Sequence, residues 1–492
     1  MALTDRQKVA HLLRRFGFGA SLPEMDEYVP LGPEGALNRL LDLHASPDVG
    51  FVPQWAFKKD EEAEPGGYRF RLHWILQMAV TKTPLKEKLA LFWHDHFAVN
   101  EEDVEHGIAM MDYLETIRKN PGGKFKDILT SMMTNVALMR QLNVEMISRA
   151  TPNENFAREL LELYTLGEGN YTEKDIKEIA RALTGHSHYD AFWRMGQENN
   201  ERMNHIIKHD TPGVFAIYAD SVHIPGPKTV LGQTVESSSD VVAMLSKHPQ
   251  TARYICGKLW EWFAYASPEP ETVEKLAKKF LAHDGNIIET LRSMTKMDEF
   301  WSDKCVRNLV KSPVDYVVGI VRSQNSRERI LRDFPKDNTK STPVPEDVMG
   351  STSGIMYFLS ECGMNLFFPQ TVAGWDWGKG WISTNTLIQR KRFTGVHTYY
   401  RVEKEGKEEW LPDLPTQYVA NEIKKRNPQS VEAIVAAFCT IYDCPLSIEQ
   451  NAVLVKHFEK MGGVGVLEAG HFAWSCTLAL QLLGSAPEFH MC

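Results

Sequence analysis

The sequence predicts a mainly α protein: a large multi-helix orthogonal bundle with a few short strands and long ordered loops. Three observations carry this. Apolar residues recur at helical spacing in one segment after another, Thr, Ser, Asn and Pro stand at the starts of those segments, and few stretches alternate as strands do.

In chain order, Thr4 caps a helix running to about Arg15, with Val9, Leu12, Leu13 and Phe16 as its apolar stripe and Gly17 as its stop. Helices then follow over Glu34–Leu43, Tyr68–Thr81, Pro84–Phe97, Val104–Asn120 and Phe125–Met133. The next set covers Glu154–Leu166, Glu173–Thr184, Ser238–Ser246, Pro249–Ala264, Pro270–Ala282 and Asn286–Met294. The last covers Pro313–Ser323, Asp347–Glu361, Thr416–Lys425, Ser430–Thr440, Ile448–Glu459 and Val466–Leu483. Strand patterns are confined to Val230–Leu231 and Thr394–Val402. The polar, Pro- and Ser-rich interval 323–354 reads as a loop between an N-terminal helical domain, 1–322, and a C-terminal helical part, 355–492.

The composition, 43% hydrophobic and 24% charged, is that of a globular protein. A net charge of -9 argues against a dedicated nucleic-acid binder, whose affinity rests on Lys and Arg neutralising phosphates. No window approaches a membrane span. The seven cysteines form no CxxC pair, and charges interrupt the opening MALTDRQKVAHLLRRFGFGAS, so a cytoplasmic location is expected. There is no G-x-S-x-G elbow, Walker loop or dinucleotide fingerprint after a strand.

LFWHDHFAVN, residues 91–100, holds two histidines on a predicted helix begun by Thr83-Pro84. Leu85, Leu89, Phe92 and His96 recur at i, i+4, i+7 and i+11, which places them within roughly 60° of one another. His96 therefore points inward, either as a metal ligand or as a core histidine donating to a carbonyl. His94 lies about 160° away and is expected at the surface or facing a partner.

TPNENFARELLELYTLG, residues 151–167, opens as a capping box of Thr151 and Glu154. Asn155, Glu159 and Glu162 share one face beside the buried stripe, and Arg158 can pair with Glu154 and Glu162 at i±4. Such a face suits a cation or an acid–base pair, and equally a salt-bridged structural clamp. Between residues 186 and 223 stand His186, His188, His205, His209 and His223. His186 and His188 could chelate from a loop; His205 and His209 have helical i, i+4 spacing without the Glu of a zinc helix. With imidazole and carboxylate ligands, Zn, Fe, Mn or Cu would be favoured over Ca. Gly374 to Trp381, GWDWGKGW, sets Trp375, Trp377 and Trp381 either along a cleft or as anchors of an irregular loop.

Several of these stretches together resemble one family. They are AHLLRRFGFGAS (10–21), FWHDHFAV (92–99), NENFARELLELYTLGEGNYT (153–172) with ARALTG (180–185), and HIPGPKTVLG (223–232). HPQTARYICGKLWEWF (248–263), FPQTVAGWDWGKGWISTNTLIQRKRF (368–393) and SAPEF (485–489) complete the set. The chain resembles the bacterial family known as domain of unknown function 1800, DUF1800. The family pattern has His where Tyr164 stands, Trp where His186 stands and Asp where Ile224 stands, so the extra histidines belong to this member. The resemblance implies a bacterial, mainly helical protein, often encoded beside a sulfatase-related family, DUF1501, and it implies no established reaction.

Two functional readings follow. One is a metal-assisted hydrolase or oxidoreductase with a divalent transition metal held by His96, Glu159, Glu162, His186 and His223. In it Glu159 or Glu162 acts as ligand or general base, Arg158 orients them, and Trp375, Trp377 and Asn155 meet the substrate. The other is a non-catalytic helical scaffold or accessory protein for a DUF1501-type partner.

Overall fold

The computed structural model describes residues 3–47, 67–144, 152–190, 214–327, 330–331, 346–396, 399–404, 407–412 and 414–492. Its architecture is mainly α, with strands only as three separate antiparallel pairs among the described residues. These pairs are His186–Asp190 with Val214–Tyr218, Lys228–Val230 with Gln233–Val235, and Tyr399–Lys404 with Lys407–Pro412.

Local chemistry sets the helix starts. Thr4 and Gln7 close a capping box on Asp5–Phe16, Thr172 and Asp175 one on Glu173–Ala182, and Ser237 and Asp240 one on Ser238–Ser246. Asp175 also reaches beyond its own helix, where its Oδ1 accepts from Leu231 N–H at 2.7 Å. Leu231 and Gly232, at φ 49 and 76, make the two-residue turn of the Lys228–Val235 hairpin, and the Asp175 bond offsets the cost of positive φ at a leucine.

The Pro84–His96 helix is the axis of the body. Every residue in it except Lys86 is buried. It packs against helices Asp5–Phe16, Gly32–Leu41, Gly67–Val80 and Gly107–Lys119. Two of its buried charges, Glu87 and Lys88, are paired, as burial requires. The Glu87 carboxylate accepts from Trp74 Nε1 at 2.9 Å and from Arg118 Nε and Nη2 at 2.9 and 2.8 Å. Lys88 Nζ donates to Arg14 O, Gly17 O and Asp315 Oδ1, tying three helices at one ammonium. The buried apolar residues form one cluster that runs from Val9 to Phe489.

Several boundaries differ from the sequence expectation. Residues 384–396 form a helix, and the strand begins at Tyr399, because Thr394 and its neighbours pack against helix Phe472–Leu483. The expected Val466–Leu483 helix is split into a short 3-10 turn, Gly463–Glu468, and Phe472–Leu483, with Gly470 near the break. Residues 328–329 and 332–345 of the polar interval, and His205 and His209, lie outside the described residues. All seven cysteines are free thiols.

Candidate functional site

The C-terminal end of the Pro84–His96 helix meets three motifs that are remote in sequence. His94 is fully buried, which corrects the expected surface position. A helical wheel assigns a solvent face only to a helix that has one, and this helix is enclosed on all sides. His94 Nε2 accepts from Phe367 N–H at 2.9 Å and its Nδ1 lies 2.8 Å from the Tyr113 hydroxyl. The accepting Nε2 puts the proton on Nδ1, which donates to the tyrosine oxygen. Burial drives the imidazole pKa down to about 3, so the ring is a neutral bridge at physiological pH.

Asp95 Oδ1 accepts from Trp375 N–H at 2.9 Å. Burial raises its pKa to about 6, opposed by the Lys258 charge and the Trp375 N–H. Lys258 lies on helix Pro249–Phe263, one turn after Tyr254, with Nζ 5.7 Å from the Tyr254 ring centre. It is half-buried and makes no hydrogen bond or ion pair among the described residues. Burial lowers its pKa, opposed by Asp95 and Glu261. His96 is buried, and its Nε2 donates to Tyr164 O at 3.2 Å, which leaves Nδ1 buried with no hydrogen-bond partner among the described residues. Burial, then the Lys258 charge, holds His96 well below the usual imidazole range. Its ring lies 6.1 Å from that of Tyr164 and 6.3 Å from that of Tyr254. The buried Tyr164 hydroxyl is also without a hydrogen-bond partner among the described residues.

Helix Glu154–Glu162 supplies the rim. Its cap is Asn153, whereas the sequence suggested Thr151, which lies outside the described residues. Asn153 Oδ1 accepts from Phe156 N–H at 2.9 Å while Nδ2 donates to Leu142 O and Asn143 O. One carboxamide thus supplies an acceptor for the helix and donors for the preceding loop. Glu159 is half-buried, and burial followed by the neighbouring Glu162 charge raises its pKa. Glu162 accepts from the Tyr171 hydroxyl. Asn155 is exposed. Arg158 does not orient the two glutamates: both its terminal nitrogens donate to Glu173 on the next helix, at 3.0 Å each. The bidentate fork fits one facing carboxylate better than two carboxylates along its own helix. Because this pair is exposed, Arg158→Ala is expected to leave the melting temperature nearly unchanged, as differential scanning calorimetry would register.

His186 and His223 form a second group. His186 Nε2 lies 2.8 Å from Ser238 Oγ, and His223 Nδ1 donates to Thr184 O at 2.8 Å. Both rings flank Tyr218, at 5.1 and 5.9 Å. Among the described residues, no three His, Cys, Asp or Glu side chains are grouped to hold a metal ion. His96 Nε2, one Glu162 oxygen, His186 Nε2 and His223 Nδ1 already face partners in the chain. This donor set does not fit one shared ion.

The tryptophan segment covers the helix end. Trp375 is buried edge-on to His94, at 4.9 Å, and Trp377 stacks on Trp262 at 3.9 Å. Sequence reasoning singled out His96 and Trp375 but missed Asp95, Tyr254 and Lys258. The i, i+4 pair Tyr254 and Lys258 in HPQTARYICGKLWEWF was the available signal.

Fold and site thus define a mainly helical protein with a buried ionisable cluster where four sequence motifs meet. The family model described as "Protein of unknown function (DUF1800)" matches residues 11–491, and the chain belongs to that family. No curated protein and no solved structure matches it. No described helix is long and apolar enough to cross a membrane.

Proposed function

We propose that the chain is an acid–base enzyme whose reaction centre is the Asp95–Lys258–Tyr254–His96 cluster, with Glu159 and Glu162 at its rim. The observation that carries this reading is a gathering of ionisable side chains next to the buried Asp95: Lys258 Nζ lies 5.7 Å from the Tyr254 ring, and that ring lies 6.3 Å from His96. Asp95 is held toward its neutral form and Lys258 toward its neutral form, although each favours the charge of the other. Groups pushed together toward neutral pH are the kind that transfer protons in enzymes. In this reading Asp95 takes a proton from an acidic C–H or O–H of the substrate, and the Lys258 ammonium stabilises the anion left behind.

The test is proton exchange. A panel of carbonyl and carboxylic compounds incubated with the protein in D2O should show C–H to C–D exchange by NMR in at least one member. That exchange should disappear in Asp95→Asn and Lys258→Met. No exchange across the panel, or exchange that survives both substitutions, overturns the reading.

The raised Asp95 pKa carries its own prediction. The folded state holds this proton more tightly than the unfolded chain, whose ordinary value is 3.8. The penalty is therefore full above pH 6 and relieved as pH falls toward 3.8. Asp95→Asn should melt higher than the parent at about pH 7.5, with the gap closing below about pH 4. A variant less stable near neutral pH would make Asp95 simply the structural acceptor for Trp375 N–H.

A second reading, an accessory protein for a DUF1501-type partner, draws support from exposed apolar residues in the C-terminal helices, Ile448 at 88% and Trp474 at 40%. Ile448→Lys with Trp474→Ser should abolish co-purification with a co-expressed DUF1501 protein if it holds. Complex formation that survives both changes sinks it. Cytoplasmic residence remains part of the proposal and is checked by fractionation of the native host.

A further inference from the structure

The AHLLRRFGFGAS segment takes no part in the cluster above, yet it carries two of the most deeply buried cations in the molecule. Arg14 and Arg15 are 4% and 1% exposed. Arg14 lies on the wall of a groove of about 490 Å³ between helix Asp5–Phe16, the segment around Arg307, and the turn 439–445. Three arginines line it, Arg6, Arg14 and Arg307, against a single carboxylate, Asp443.

That carboxylate is shared. Arg14 Nη1 donates to Asp443 Oδ2 at 2.8 Å, and Arg307 Nη2 donates to Oδ1 at 2.5 Å, with Nη1 on Asp443 O at 2.8 Å. Arg14 Nε is buried with no hydrogen-bond partner among the described residues. The positive charge continues behind the wall. Among the described residues Arg15 donates to Cys305 O and Cys492 Sγ, and Lys311 Nζ to Phe489 O, with no carboxylate side chain on either. His11, beside them, is held well below the usual imidazole range by burial and then by Arg15 and Arg14. A water-sized cavity of about 20 Å³, lined by Arg14, Lys311 and Asp443, sits next to the groove.

Buried cations normally have matching anions, because an unpaired charge in the interior is costly. Here the buried Arg14 and the part-buried Arg307 share one carboxylate, and with the exposed Arg6 the groove lining carries two more positive charges than negative. The rest of its wall is apolar or neutral, including Ala10, Ala20, Met25 and Val306, with Gln7 and Thr440 as added hydrogen-bonding groups. We infer that this groove binds a small organic phosphate monoester, with the phosphate on Arg14, Arg307 and Arg6 and the organic part on the apolar wall. A phosphate monoester near neutral pH carries close to two negative charges, which balances the excess. Guanidinium forks match its oxygens geometrically, and the volume suits a small-molecule ligand. This inference is independent of the acid–base reading, since none of its residues belongs to that cluster.

The experiment is isothermal titration calorimetry of the full chain with phenyl phosphate and with inorganic phosphate, at ionic strength held constant with NaCl. Saturable binding of phenyl phosphate is expected, tighter than that of inorganic phosphate. Arg307→Met should weaken it by about tenfold or more, the loss of one charge-assisted contact. Asp443→Asn removes the competing internal carboxylate and should tighten it, whereas a purely structural role for Asp443 predicts no gain. Arg6→Met, at an exposed position, serves the same purpose should Arg307→Met fail to fold. Absence of saturable binding, or equal affinity in the arginine variants, overturns the site. Inorganic phosphate binding as tightly as phenyl phosphate overturns the organic part of the ligand.

Discussion

Glu87→Ala is expected to destabilise the protein by about 3–5 kcal/mol, measured as a fall in the urea midpoint of unfolding. Glu87 is fully buried, and one carboxylate satisfies both the Trp74 indole N–H and two nitrogens of Arg118. Truncation removes the carboxylate to which two nitrogens of a guanidinium that is 8% exposed, and the Trp74 indole, donate. Glu115 holds Arg118 Nη1 at the surface and cannot reach the other two donors from there without drawing the side chain out of the core. A loss below about 1 kcal/mol would mean that Arg118 escapes to solvent at little cost. Replacing both partners with apolar residues of similar volume should recover much of the loss, because the burial of an ion pair contributes less than its breakage costs.

Gly374→Ala should be comparably severe, with a loss of about 3 kcal/mol or more. Gly374 has φ +101, a conformation that L side chains rarely adopt. A methyl group there would lie 2.6 Å from Asp95 O and press on the Asp95 carboxylate. Neither atom can yield without breaking the Trp375 N–H bond or distorting the last turn of the central helix. The measurement is thermal melting together with the near-ultraviolet circular dichroism of the tryptophans, which should lose intensity as Trp375 and Trp377 unseat. An alanine variant with unchanged spectrum and melting point would show that the loop relaxes elsewhere.

Much of the helical frame was legible in the sequence because its signals are local. Thr4 with Gln7, Thr172 with Asp175 and Pro84 at a first turn each act within three residues. The inward position of His96 followed from spacing alone. What failed depended on partners far along the chain. The periodicity argument sent His94 outward because it presumes water on one side, and nothing local reveals that Phe367 supplies a backbone donor there. Arg158 had acceptors at i±4 on its own helix, and a geometrically better one, Glu173, lay on the next. The charge influence of Asp95 and Lys258 on one another was likewise hidden. The sequence shows each as an ordinary charged residue, and only the fold removes the water that would keep them so.

The seating of the Phe367–Trp375 segment on the central helix also sets a timetable for the nascent chain. Asp95 and its donor Trp375 are separated by 280 positions. At translation speeds of about 5–20 residues per second, the polar end of the helix waits roughly 15–55 seconds for its cover. During that interval His94 Nε2 and Asp95 Oδ1 lack their Phe367 and Trp375 donors and face water in their place, so the helix end stays wet. The body cannot reach its dry, final form until the last third of the chain has left the ribosome. Truncations just before Phe367 should therefore yield a species that is helical but retains exposed aromatic surface, a natural client for chaperones during synthesis.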